Sequence, residues 1–267
     1  MALADRELTQ LNKPKKSWTE TMSVRSRILK SKLELRLYRL SGGKIANFLH
    51  IPKTGGSAVK SALENVSQTS SHRIHLRGHS CRLKDIPVGD QFFFFLRDPA
   101  KRFVSAFNHK KTGRGYWKHN KVEAETAALK RFDTANQLAE AIFSTDEATR
   151  LAAESAMVSI EHVNTFYADW FVSKDYFESR FSDCLLIGFQ ETLATDFEQL
   201  KQLLNLPETL ALPERNSGKA NENPVHLETS LSPTAQENLS KWYAQDYDFL
   251  AFCKEKVREQ ESSSLSS

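Results

Sequence analysis

A chain of 267 residues and 30.4 kDa, 40% hydrophobic and 10% aromatic, can bury one substantial core, which excludes a disordered chain. The net charge of +4 is too mild to identify a partner, although 73–118 is strongly basic and suits an acidic ligand. Cys81, Cys184 and Cys253 are odd in number and widely spaced, without Cys-x-x-Cys or zinc-spaced histidines. They argue against a disulfide framework and a structural metal, and no metal is expected. No run approaches the ~18 apolar residues of a membrane span, and no signal-peptide core opens the chain, so a cytoplasmic protein is expected.

In chain order, 1–22 is polar and reads as a loose arm. Val24 to Leu40 has apolar residues at Ile28, Leu29, Leu33, Leu37 and Leu40 among basic ones, the pattern of a basic amphipathic helix. Such a helix packs on its own domain or touches a membrane surface peripherally. Ser41-Gly42-Gly43 ends it, so 1–43 reads as an arm and helix preceding a domain over 44–260.

Ile45 to Ile51 reads as a buried strand, followed by Pro52-Lys53-Thr54-Gly55-Gly56-Ser57 and a helix to Val66. A strand feeding a glycine-rich loop and a helix N-terminus is a device for holding phosphate, because the unpaired first-turn N–H groups point at the anion. Gly55 and Gly56 let the backbone approach, and Lys53 adds a point charge. The lysine precedes both glycines, unlike the Gly-x-x-x-x-Gly-Lys-Ser/Thr loop of nucleoside triphosphatases.

Ile74 and Leu76 suggest a short extended segment ending at Gly78. Phe92 to Leu96 is an unbroken apolar run, suited to a strand buried on both faces of a parallel sheet. Asp98 and Pro99 then cap and start a helix to about Lys110. Helical stretches near 122–132, 134–143 and 146–158 fill a helical insertion over about 111–170. Cys184 to Phe189 is another buried strand, Glu191 to Leu204 a helix, and 212–224 a polar loop. Helices from Ser232-Pro233 to Tyr243 and from Asp246 to Glu259 close the domain, and 261–267 reads as a disordered serine-rich tail.

The fold class is therefore α/β: a P-loop-like three-layer architecture with a central parallel sheet flanked by helices. His50-Ile51-Pro52-Lys53-Thr54-Gly55-Gly56-Ser57 resembles the 5′-phosphosulfate loop of sulfotransferases, closest to the carbohydrate and heparan sulfate 2-O-sulfotransferase-like group. Arg97-Asp98-Pro99-x-x-Arg102-x-x-Ser105 resembles that family's 3′-phosphate motif. The resemblance implies the donor 3′-phosphoadenosine 5′-phosphosulfate (PAPS), released as the bisphosphate PAP. It implies that Lys53, Thr54, Gly55, Gly56 and Ser57 hold the 5′-phosphosulfate, and Arg97 and Ser105 the 3′-phosphate. Ser217 and Lys219 match a late cofactor-contacting loop in position. The acceptor implied is a hydroxyl on a glycan or small glycosylated molecule.

Sulfuryl transfer needs a cation beside the leaving oxygen and a base for the acceptor proton. Lys53 suits the first role. His79 suits the second, because an ordinary imidazole titrates near ~6.5. Gly78-His79 resembles the His-Gly-His element of 2-O-sulfotransferases, with Arg77 where the family has its first histidine. His50 and His75 fit a catalytic role less well, and a buried structural role suits His50. Arg77, Lys110, Lys111, Arg114 and Trp117, with Lys118 and His119, are candidates to grip the acceptor. The rival functions are a nucleotide kinase, which needs a Mg²⁺ ligand set, and a non-catalytic module binding nucleic acid or anionic membrane; nucleic acid is not the expected partner.

Overall fold

The computed structural model of the protein describes residues 33–112, 123–214 and 227–265. The chain divides into two units, 1–44 and 45–267. In the first, a helix over 33–40 (α1) ends in a Schellman cap: Gly43 N–H donates to the Tyr38 carbonyl at 2.9 Å and Gly42 N–H to Arg39 at 3.0 Å. Gly42 adopts φ 81°, the left-handed turn that this cap requires. Leu33, Leu37 and Leu40 are exposed, and Val24, Ile28 and Leu29 lie outside the described residues.

The second unit is built on β1 (Lys44–Phe48), β2 (His72–Leu76), β3 (Gln91–Leu96) and β4 (Cys184–Phe189), a parallel four-stranded sheet in the order β2-β1-β3-β4. Ala46 aligns with Gln91 across β1 and β3, and Phe95 with Gly188 across β3 and β4. A Cβ at Gly188 would lie 2.4 Å from the Phe95 ring, so this strand position accepts only glycine beside that ring.

The phenylalanine run of β3 sorts by strand alternation. Phe92, Phe94 and Leu96 enter a core on one face with Trp170, Phe171, Phe177, Phe249 and Phe252. Phe93 and Phe95 enter the other with Phe48, Val59, Leu63, Phe197 and Leu200. Two apolar faces need two helical covers, which gives the three layers. On the second face these are α2 (Gly56–Leu63), later joined by α9 (Leu193–Leu204).

After β3 comes α3 (Pro99–Lys111), with Asp98 accepting a cap hydrogen bond from Lys101 N and Pro99 in the first turn. Then follow α4 (Glu123–Arg131), α5 (Ala135–Ala141) and α6 (Glu147–Ser159). These helices share a third core, through Phe103, Phe107, Leu129, Leu138 and Met157, with α10 (Pro233–Trp242). Ser232 caps α10 by accepting from Ala235 N.

Several boundaries differ from the sequence reading. β1 stops at Phe48, although Leu49 N–H still donates to Phe93 O at 2.9 Å, and α2 ends at Leu63 rather than Val66. Two short helices, α7 (Ala168–Phe171) and α8 (Lys174–Ser179), are too brief to show a helical period in sequence. The last helix, α11 (Ala244–Leu265), begins directly after Tyr243 and runs through most of the stretch expected to be disordered. Ser262 Oγ donates to the Arg258 carbonyl at 2.9 Å, so a serine there follows the helix instead of breaking it. Among the described residues no helix is long and apolar enough to cross a membrane.

Candidate active site

β1 leads to β2 on one side and β3 leads to β4 on the other. The crevice beyond their carboxyl ends is a topological switch point, where open α/β sheets bind ligands. Both sequence motifs open there. Arg97, one residue past β3, donates from Nη1 to the Lys53 carbonyl at 3.3 Å, which joins the two motifs directly. The strand end is fixed by Tyr167, whose hydroxyl accepts from Arg97 N at 3.1 Å and donates to Arg97 O.

The loop before α2 holds two left-handed residues, Lys53 at φ 67° and Gly55 at φ 85°. Glycine adopts that conformation freely; a lysine there is strained, as is common where a loop is shaped for a ligand. Among the described residues no side chain caps the N-terminus of α2, and its first turn carries no acid, so none of them supplies an anion to the positive end of the helix. Thr54 is buried and its hydroxyl donates to Ile51 O at 3.0 Å. That hydroxyl proton is spent within the loop. Ser57 is half-buried in the first turn.

Gly56 answers to a constraint the sequence does not show. A Cβ there would lie 2.3 Å from His50 Cδ2 and 2.6 Å from Nε2. The glycine makes room for the His50 ring, which stacks on Phe48 at 5.1 Å and lies tilted against His79 at 4.0 Å between centroids. Gly56→Ala is therefore expected to cost about 1–3 kcal/mol through overpacking, read as a lowered Tm. An unchanged Tm would show that the His50 ring yields freely.

Burial, followed by His79, Lys60 and His162, pushes the His50 pKa down to about 3. It stays neutral and structural. His79 lies at the surface on one side, yet burial of its inner side lowers its pKa, opposed by a hydrogen bond to the His50 carbonyl. That bond, 3.0 Å from Nδ1 to His50 O, fixes the tautomer: a carbonyl only accepts, so Nδ1 carries the proton and Nε2 keeps its lone pair. The His79 main chain is anchored as well. Its carbonyl accepts from Trp170 Nε1 at 3.1 Å and from Arg82 Nη1 at 2.8 Å, with the Arg82 guanidinium 4.8 Å over the Trp170 ring.

Lys53 is half-buried, and its pKa is pushed down to about 8 by burial, then by the positive charges of Arg97 and Lys110. Among the described residues no carboxylate pairs with it. Arg97, like Arg102, has a buried Nε with no hydrogen-bond partner among the described residues, an unusual cost inside a folded protein. Burial also lowers its pKa, against the pull of Glu191, Tyr167 and Asp98. Ser105 is buried on α3.

The expected acceptor grips are placed otherwise. Lys110 is buried and its ammonium pairs with Glu161 and, at 3.4 Å, with Glu125. Lys111 donates to the Leu129 and Phe132 carbonyls at 2.7 and 3.0 Å and to Asp133 at 3.2 Å. With three oxygens on its three protons, it caps the end of α4 rather than reaching for a ligand. Arg77 donates from Nε to Asn47 Oδ1 at 2.9 Å. Arg114, Trp117, Lys118, His119, Ser217 and Lys219 lie outside the described residues.

Sequence reasoning missed Tyr167, Trp170 and His162, none of which belongs to a motif. His162 is brought to 6.1 Å from His79 between ring centroids. The second arginine of the Arg97–Ser105 motif also has a role unseen in sequence. Arg102 is buried and pairs with Asp246 at 2.9 Å, donating as well to Thr165 Oγ1 and O. It holds α3 to α11 and to the turn after α6. No group of metal-binding side chains is found among the described residues.

No curated protein and no solved structure matches this chain. A model of the sulfotransferase family matches residues 44–253, which takes in the whole sheet, both motifs and most of the described helices. The chain belongs to the sulfotransferase family.

Proposed function

We propose that this protein transfers a sulfuryl group from PAPS to a hydroxyl, with a carbohydrate as the acceptor class and His79 as the base. The observation that carries the reading is the Arg97–Lys53 junction, 3.3 Å from guanidinium to carbonyl. It sets around one crevice the Arg97 guanidinium, a helix N-terminus without a side-chain cap among the described residues, and a lysine without a carboxylate partner among them. A nucleotide with phosphate groups at both ends fits that donor set: a phosphate oxygen would pair with the Arg97 guanidinium, and the first-turn N–H groups of α2 would hold the other end.

PAPS supplies the activated sulfuryl group, and the chain supplies positioning and charge. The main-chain N–H groups of Thr54, Gly55, Gly56 and Ser57 bind the 5′ end, while Arg97 and Ser105 bind the 3′-phosphate. The Lys53 ammonium stabilises the bridging oxygen as the S–O bond to it breaks. The acceptor oxygen forms the new bond to sulfur from the opposite side, and its proton passes to His79 Nε2. Ser217 and Lys219 contribute to the cofactor side, and Arg77, Arg114 and Trp117 to the acceptor side. Lys110 acts on that site through Glu161 and through its charge near Lys53. The absence of a long apolar helix among the described residues is compatible with a cytoplasmic enzyme, which is the location we infer.

The test is calorimetry with PAP, followed by label transfer from PAPS to a panel of desulfated glycosaminoglycans and simple glycosides. PAP is expected to bind without metal, and its affinity is expected to depend on Lys53. A bound anion favours the charged ammonium, so Lys53 has a higher pKa in the complex than its value of about 8 in the free protein. Affinity should therefore be flat below about pH 8 and fall as pH rises above it, by up to tenfold per unit. Lys53→Ala should remove that slope. No heat with PAP, or no label on any acceptor, would overturn the reading.

A further inference from the structure

His162 has no place in the reaction so far, yet the fold spends several contacts on it. It sits in the turn after α6 with φ 71°, a conformation that glycine or asparagine adopts at less cost. A turn that needed only the backbone would be better served by either. Both sides of the turn are tied down. Before it, Glu161 N–H donates to Glu125 Oε1 at 3.0 Å and the Glu161 carboxylate pairs with Lys110. After it, Thr165 Oγ1 donates to the His162 carbonyl at 3.1 Å, and Arg102 donates to that same hydroxyl.

What this arrangement delivers is an imidazole 6.1 Å from His79 and 6.5 Å from His109, centroid to centroid. The ring is half-buried, and its nitrogens make no hydrogen bond among the described residues. Burial lowers its pKa, with Lys110, Lys53 and His79 acting in the same direction against Glu161, so it is neutral near pH 7 and retains an accepting nitrogen. Strain held at a residue whose ring nitrogens have no hydrogen-bond partner among the described residues points to a position kept for a ligand.

We propose that His162 is a second acceptor-side imidazole, standing beside His79 and taking a hydrogen bond from the incoming hydroxyl compound. This rests on the reading of His79 as the base. His79 Nε2 removes the proton of the reacting hydroxyl, while His162 accepts from a hydroxyl of the same molecule and fixes its orientation. Two neutral imidazoles side by side favour an acceptor with neighbouring hydroxyls, as on a sugar ring, over one with a single isolated hydroxyl or an ammonium group.

The experiment uses His162→Asn, which tolerates the left-handed backbone, and His162→Gly, which relieves it. Wild type and variants are compared on the glycan and glycoside panel with labelled PAPS, with PAP affinity and Tm measured alongside. Both variants should keep wild-type PAP affinity, and His162→Gly should match or exceed the wild-type Tm. Acceptor kcat/KM should fall by about tenfold or more, the worth of a hydrogen bond to substrate, and added imidazole should restore part of it in His162→Gly. Wild-type kcat and KM in His162→Asn would overturn the inference and leave the function intact. So would an equal loss of PAP affinity, which would mark a structural role. A wild type that binds PAP but labels none of the panel would overturn the underlying reading instead.

Discussion

His79→Ala is expected to lower kcat by about 10²–10⁴-fold, the usual worth of a positioned general base, while PAP binds as tightly as before. The separation follows from the geometry. His79 bonds to the His50 carbonyl at 3.0 Å and packs at a tilt against the His50 ring, whereas the donors proposed for the nucleotide are on the Lys53–Ser57 loop and Arg97. Removing the imidazole leaves that cradle in place. The pH dependence provides a second check. Burial lowers the His79 pKa from its ordinary value of 6.5, so the base is already deprotonated at pH 7. The acid-side decline in turnover should therefore have its midpoint below pH 6.5, and it should be absent from residual His79→Ala activity. Wild-type-like turnover in the variant would remove His79 from the mechanism.

Arg102→Met is expected to destabilise the protein by about 3–5 kcal/mol at pH 7.5, the cost of leaving a buried charge without its partner. For a chain of this size that corresponds to a fall in Tm on the order of 10 °C. Asp246 is fully buried, and burial raises its pKa to about 6 even with Arg102 2.9 Å away. Its folded value lies above the 3.8 of an unperturbed aspartate, so its contribution to stability is greatest below about pH 4 and is lost as pH rises through 6. Without Arg102 the folded value rises further. The loss in Arg102→Met should thus shrink on moving from pH 7.5 to pH 5, which thermal melts at the two values would show. A loss independent of pH would mean that the arginine contributes packing alone.

The two experiments bear on different parts of one motif. In Arg97-Asp98-Pro99-Ala100-Lys101-Arg102, both arginines keep a buried Nε without a partner among the described residues, but Arg97 meets the Lys53 carbonyl whereas Arg102 ends in a buried ion pair with Asp246. The first is proposed to bind an anion, and the second ties helices together. Residue type and spacing do not distinguish them, because both arginines stand in the same short segment. Burial and the identity of the facing residue do.

The sequence by itself determined the elements whose signal is local. The phenylalanine run marks a strand buried on both faces, Asp98-Pro99 and Ser232-Pro233 mark two helix starts, and the Lys53–Ser57 run marks a glycine-rich loop between β1 and α2. Each depends on residues a few positions apart. Only the tertiary structure decided what stands around that loop. It gave Gly56 to the His50 ring, turned Lys110 and Lys111 inward onto carboxylates and carbonyls, ran the last helix to Leu265, and carried Tyr167, Trp170 and His162 to Arg97 and His79. Those contacts join segments far apart in the chain. They are set by how helices close over the carboxyl ends of β1 and β3, and that packing leaves no periodic trace in the order of the residues.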